Sequence, residues 1–121
     1  MLINLSNHHS DFWDGIQKQS VESRFGKIID LPFPNIDPMA DIEEVSNLAN
    51  KYFQQCASHL VQHDGYPDVI HVTGEHTFTF TFVTLAKANG IKCVCSTTPR
   101  IVETTDGIKT SVFRFIQLRS Y

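Results

Sequence analysis

The chain has 121 residues, 41% of them hydrophobic, and carries a formal net charge of -3 at pH 7. That length fits one domain, residues 1–121, which can bury a core without staples and is too apolar for disorder. The acidic balance, with a pI near 6.0, argues against a duplex DNA or long RNA binder, because such proteins neutralise phosphates with a basic patch.

No apolar run reaches the roughly 18 residues that a membrane span needs, and no basic stretch leads into a long apolar one as in a secretory signal. The three cysteines, Cys56, Cys93 and Cys95, sit inside apolar patterns. This usage predicts reduced core thiols in a cytoplasmic protein, with no metal centre.

Leu2–Leu5 reads as a first strand, apolar as a strand covered on both faces should be. It opens into the polar run Ser6-Asn7-His8-His9-Ser10. A helix is expected from about Asp11, with Ser10 or Asp11 as N-cap, Phe12, Trp13 and Ile16 facing inward, and Gly26 ending it. Lys27–Leu31 reads as the second strand, stopped at Pro32. Three prolines make residues 32–38 a loop.

A long helix is expected from Asp41 to His63, with Ile42, Val45, Leu48, Ala49, Tyr52, Phe53, Cys56, Ala57 and Leu60 as its inward stripe. His59 and His63 lie four apart on it, but near the C-terminus, where an imidazole suits the helix dipole. Asp64–Pro67 turns the chain into a third strand, Asp68–Val72, which opens into Thr73-Gly74-Glu75-His76-Thr77.

Residues 77–82 alternate Thr and Phe, which by period alone favours a strand. The helix-forming tail Leu85–Asn89, the stop at Gly90 and the crossover needed before a parallel strand favour a helix over 76–89 instead. Phe78, Phe82, Leu85 and Ala86 then share one face, widened by Phe80 and Val83. A fourth strand over 91–95 opens into Ser96-Thr97-Thr98-Pro99-Arg100. Asp106-Gly107 between Arg100–Thr104 and Lys109–Ile116 is a hairpin signal. The order predicts an α/β fold: a three-layer Rossmann-like sandwich with a parallel four-stranded core and a C-terminal antiparallel hairpin.

In such a sheet, ligands sit beyond the carboxyl ends of the strands. Three strands here end in polar mouths, which predicts one site for a small anionic ligand. The first mouth supplies Ser6, Asn7 and His8. The third supplies hydroxyls from Thr73 and Thr77, close backbone approach at Gly74, and titratable groups at Glu75 and His76. The fourth supplies Ser96, Thr97, Thr98 and Arg100, whose planar fork suits a phosphate. Asn35 and Asp37 stand where they would rim the same crevice. No GxGxxG, P-loop lysine motif, nucleophile elbow or HExxH is present, so no cofactor is expected.

The run Val69-Ile70-His71-Val72-Thr73-Gly74-Glu75-His76-Thr77, followed by an apolar helix, Gly90 and the strand Ile91–Cys95, resembles the central motif of the CARF (CRISPR-associated Rossmann fold) domains. Glu75 stands where many relatives carry a second glycine. The short chain is similar to small stand-alone members, some of which are ring nucleases acting on cyclic oligoadenylate messengers. The resemblance implies a homodimer around a cyclic oligonucleotide and metal-independent attack of a ribose 2′-hydroxyl on the adjacent phosphate. It implies His8 or Glu75 as acid or base and Arg100 with helix N–H groups for the developing charge. Thr73, Thr77 and Thr97 would orient phosphates or adenines. Two other readings stay open: a sensor or sponge that binds without turnover, and a flavodoxin-like interaction module, in which Trp13 and Phe33 could wall a flavin.

Overall fold

A computed structural model of the protein describes residues 1–60, 65–99, 101–112 and 114–121. The parallel strands are β1 (Leu2–Ser6), β2 (Ile28–Pro32), β3 (Val69–Val72) and β4 (Cys93–Ser96). They are joined by α1 (Gly15–Phe25), α2 (Ile42–Leu60) and α3 (His76–Ala88). β5 (Ile101–Thr105) and β6 (Ile108–Val112) form a separate hairpin, and β7 (Leu118–Ser120) returns antiparallel to β4. The main sheet runs β2-β1-β3-β4-β7.

Two cores cover the two sheet faces. Ile3, Leu5, Ile70, Val72 and Cys93 pack with α2 and α3 through Val45, Phe53, Phe78 and Phe82. Leu2, Val69 and Val94 point the other way, onto Trp13, Val21 and Phe25. This is the expected three-layer α/β sandwich, and the near-continuous apolar strands are those of a sheet buried on both sides. The phenylalanine–threonine run is helical. Phe78 and Phe82 stack with ring centroids 5.9 Å apart, while the hydroxyls of Thr81 and Thr84 donate to the carbonyls of Thr77 and Phe80. Phe80 faces solvent rather than widening the buried face.

Several boundaries differ from the sequence reading for physical reasons. Ser10 does not cap a helix, because its amide and hydroxyl are both given to Asp30, at 2.9 and 2.6 Å. Ser10–Phe12 forms a 3-10 turn, and α1 starts at Gly15 with the Asp14 carboxylate accepting from the Gln17 amide. That later start turns Phe12 and Ile16 outward and brings Gln17, Val21 and Phe25 inward. Ile42, in the first turn of α2, is likewise exposed. The described part of α2 ends at Leu60; His63 and the end expected there lie outside the described residues.

The Asp106-Gly107 hairpin is present, and both residues have positive φ, 53° and 78°, as a two-residue turn of the primed type requires. Its second strand stops at Val112 rather than Ile116. The amide of Ile116 instead donates to the Thr97 carbonyl and the Thr97 amide to Gln117, leading into β7.

Candidate functional site

The chain leaves β1 through α1 on one face of the sheet and reaches β3 through α2 on the other. Where connections diverge in this way, a crevice opens beyond the strand ends. Here it has a volume of about 430 Å³. Ser6 from the first mouth, Thr73 from the third and Ser96 and Thr98 from the fourth line it, with His8. Its buried side is made by Trp13, Gln17 and His71.

The parallel register sets Asn4 beside Asp30 on one side and beside His71 on the other. These polar residues occupy the α1 face at the carboxyl half of the sheet. The Asn4 amide donates to Asp30 Oδ1 at 2.8 Å and to the His8 carbonyl at 2.9 Å. Burial works against the Asp30 charge. Hydrogen bonds from the Ser10 hydroxyl, the Asn4 amide and the Ser10 backbone, with His9 nearby, outweigh it and hold the carboxyl below its usual value. An ionised carboxylate only accepts, so the Asn4 amide nitrogen must face Asp30 and its Oδ1 must face the opposite way.

That orientation fixes everything downstream. Asn4 Oδ1 lies 3.0 Å from His71 Nδ1, which therefore carries the proton. Burial, with His8 adding to it, pushes the His71 imidazole down to about 4, so the ring is neutral near pH 7. His71 Nε2 is then an acceptor, and it receives the Ser96 hydroxyl at 2.8 Å. With its proton committed, Ser96 Oγ can only accept from Gln17, whose Nε2 lies 3.3 Å away. The Trp13 indole and the His71 ring pack T-shaped with centroids 5.5 Å apart, and the indole N–H donates to the His8 carbonyl. The result is a directed chain, Asp30–Asn4–His71–Ser96–Gln17, beneath a rim of hydroxyls and an imidazole.

Other residues expected at the site are placed elsewhere. The Glu75 carboxylate folds onto its own helix, accepting from the amides of Thr77 and Phe78 and from the Thr77 hydroxyl. Those bonds, from Phe78 first, hold Glu75 below its usual value as an anion, so α3 caps itself where a ligand anion was expected. Gly74 is required by packing: a Cβ there would meet the Phe33 ring at 2.3 Å. His76 and Gly74 line a second groove of about 490 Å³ along α3, with Phe80 and Lys87. Asn7 and Asn35 face a third, beside Glu75. Thr97 bonds to Gln117, and Arg100 lies outside the described residues.

Among the described residues no three His, Cys, Asp or Glu side chains gather into a metal-ligand cluster. Burial pushes the Cys56 and Cys93 thiols up, to about 12 and about 11, which marks them as inert core groups. Among the described residues no helix is long and apolar enough to cross a membrane.

The sequence matches, over residues 1–119, the family described as the Uncharacterized protein MJ1673 family. The chain belongs to the MJ1673 family. No curated protein and no solved structure matches it.

In this MJ1673 family member, sequence reasoning missed Asn4, Asp30, His71 and Gln17. The signal for two of them was present: Asn4 and His71 each interrupt an otherwise apolar strand, at positions the parallel register makes neighbours. A polar residue inside a doubly covered strand must find a polar partner, and each supplies one to the other.

Proposed function

We propose that this MJ1673 family member binds a cyclic oligoadenylate in the crevice at the ends of β1, β3 and β4 and cleaves the ring without a metal ion. One observation carries the reading. Ser6, His8, Thr73, Ser96 and Thr98, from the ends of three strands and the turns that leave them, line a single crevice at the switch point of the sheet. Its volume suits about one nucleotide, so a ring of several nucleotides needs more than one crevice. A homodimer with two facing crevices meets that need, because a two-fold axis matches a symmetric ligand.

The chemistry asks little of the protein beyond alignment and charge stabilisation. The ribose 2′-oxygen attacks the adjacent phosphorus as its proton passes to a base, and the 5′-oxygen leaves and takes a proton from water. The products are a 2′,3′-cyclic phosphate and a free 5′-hydroxyl, so the ring opens with no change in oxidation state. His8, exposed on the rim, is the base. Glu75, engaged by its own helix, is left out, and the Thr73 hydroxyl donates to the phosphate. Removal of such a messenger would switch off CRISPR-based antiviral signalling in the cytoplasm.

The test is incubation of the purified chain with cyclic oligoadenylates of several ring sizes in a chelator, followed by product separation. Linear products ending in a cyclic phosphate support the reading. Retention of intact ring moves it to a sensor, and neither binding nor cleavage removes the nucleotide altogether.

A further inference from the structure

We propose that Gln17 reads the base of the bound nucleotide, selecting a purine that carries a 6-amino group over one that carries a 6-oxo group. This rests on the nucleotide reading above and adds to it the residue and the atom that set specificity. Gln17 is 1% exposed and lines the crevice. Its amide orientation is fixed, because Ser96 Oγ has given its only proton to His71 and can accept alone. Gln17 Oε1 is thereby left facing away from Ser96, and it has no hydrogen-bond partner among the described residues.

A buried acceptor without a donor is costly, and native proteins seldom leave one so. The neighbouring donors cannot serve it. The Trp13 N–H is held by the His8 carbonyl, the His71 N–H by Asn4, and the Ser6 hydroxyl by Asn4. Gln17, at the buried end of the crevice, thus carries an unmatched acceptor that a donor on the ligand would satisfy. The exposed rim, with the Thr73 hydroxyl, offers a donor and asks for an acceptor such as phosphate. A nucleotide satisfies both ends with its base inward and its phosphate at the rim. Adenine places an amino donor at position 6, whereas hypoxanthine places a carbonyl there. Against Gln17 Oε1 that carbonyl would set two acceptors face to face, and the N1–H of hypoxanthine would reach the acceptor only after the base slides along its edge.

Trp13 is the only tryptophan in the chain and lines this crevice, so its fluorescence reports occupancy. The experiment titrates the full chain with a cyclic oligoadenylate and with the inosine-containing ring of the same size, for the parent protein and for Gln17→Leu. The expected result is about 10-fold or more tighter binding of the adenine ring by the parent, falling to near parity in Gln17→Leu. Equal affinities in the parent, or a preference that survives Gln17→Leu, would overturn the role of Gln17 and leave the nucleotide reading standing. Failure of both rings to bind overturns both. If Gln17→Leu fails to fold, Gln17→Met, which keeps the length and lacks the amide acceptor, must lose the preference for adenine.

Discussion

His71 Nδ1 and Asn4 Oδ1 face each other at 3.0 Å across the β1–β3 seam, and that contact sets the direction of every hydrogen bond from Asp30 to Gln17. It requires a neutral His71 with its proton on Nδ1. A nitrogen-15 NMR spectrum at pH 7 should show that tautomer, with Nε2 unprotonated. A spectrum with the proton on Nε2 would reverse the chain and free Ser96 to donate.

Acid should weaken the fold through this residue. His71 titrates near 4 in the folded chain against about 6.5 when unfolded. Between those values the unfolded state binds more protons, so stability rises with pH. The contribution is complete above about 6.5 and is lost as pH falls toward about 4, a change on the order of 3 kcal/mol. Urea unfolding at pH 7 and pH 4.5 should show a loss that His71→Asn reduces. An unchanged slope in His71→Asn would assign the acid sensitivity to other groups.

Asn4→Ala should cost about 2–4 kcal/mol, because it strips a partner from the partly buried Asp30 carboxylate and from the buried His71 N–H at once. Denaturant midpoints measure this, and a loss below about 1 kcal/mol would mean that water replaces the amide.

Gly74→Ala should destabilise by about 1–3 kcal/mol, as overpacking does, because the added methyl enters the space of the Phe33 ring. Phe33→Leu in the same chain should recover part of the loss. Had Gly74 been kept for ligand approach, Gly74→Ala would instead leave stability unchanged and abolish binding.

His8→Ala should lower ring cleavage by about 100-fold or more while leaving binding within a few-fold. Glu75→Ala should weaken the α3 cap and lower thermal stability, with the catalytic rate of the folded protein preserved. The opposite pattern would exchange the two roles.

The architecture was legible because its strands are short, apolar and followed by helices of a clear period. Val69–Val72 came from its apolar pattern, whereas the Phe78–Phe82 helix came against its strand-like alternation, from the helix-forming tail, the Gly90 stop and the crossover that a parallel strand needs. β7 was not legible: Leu118-Arg119-Ser120 has no strand pattern of its own and is held by backbone pairing with β4. The start of α1 was misread because Ser10 is a good cap by type, yet Asp30, twenty residues later, takes both of its donors. The rim of the site was readable as loop polarity after each strand. Its buried side was not, since Gln17 reaches the strand ends only through the packing of α1 against the sheet.

The central claim is that ligand enters the crevice between Ser6, Thr73 and Ser96. Amide chemical shifts of the labelled chain, titrated with a cyclic oligoadenylate, test it most directly. The account predicts that the largest changes fall on Ser6, His8, Gln17, Thr73, Ser96 and Thr98, together with the Trp13 indole N–H. Changes centred on Phe80, Thr84 and Lys87 along α3, or no changes at all, would contradict it.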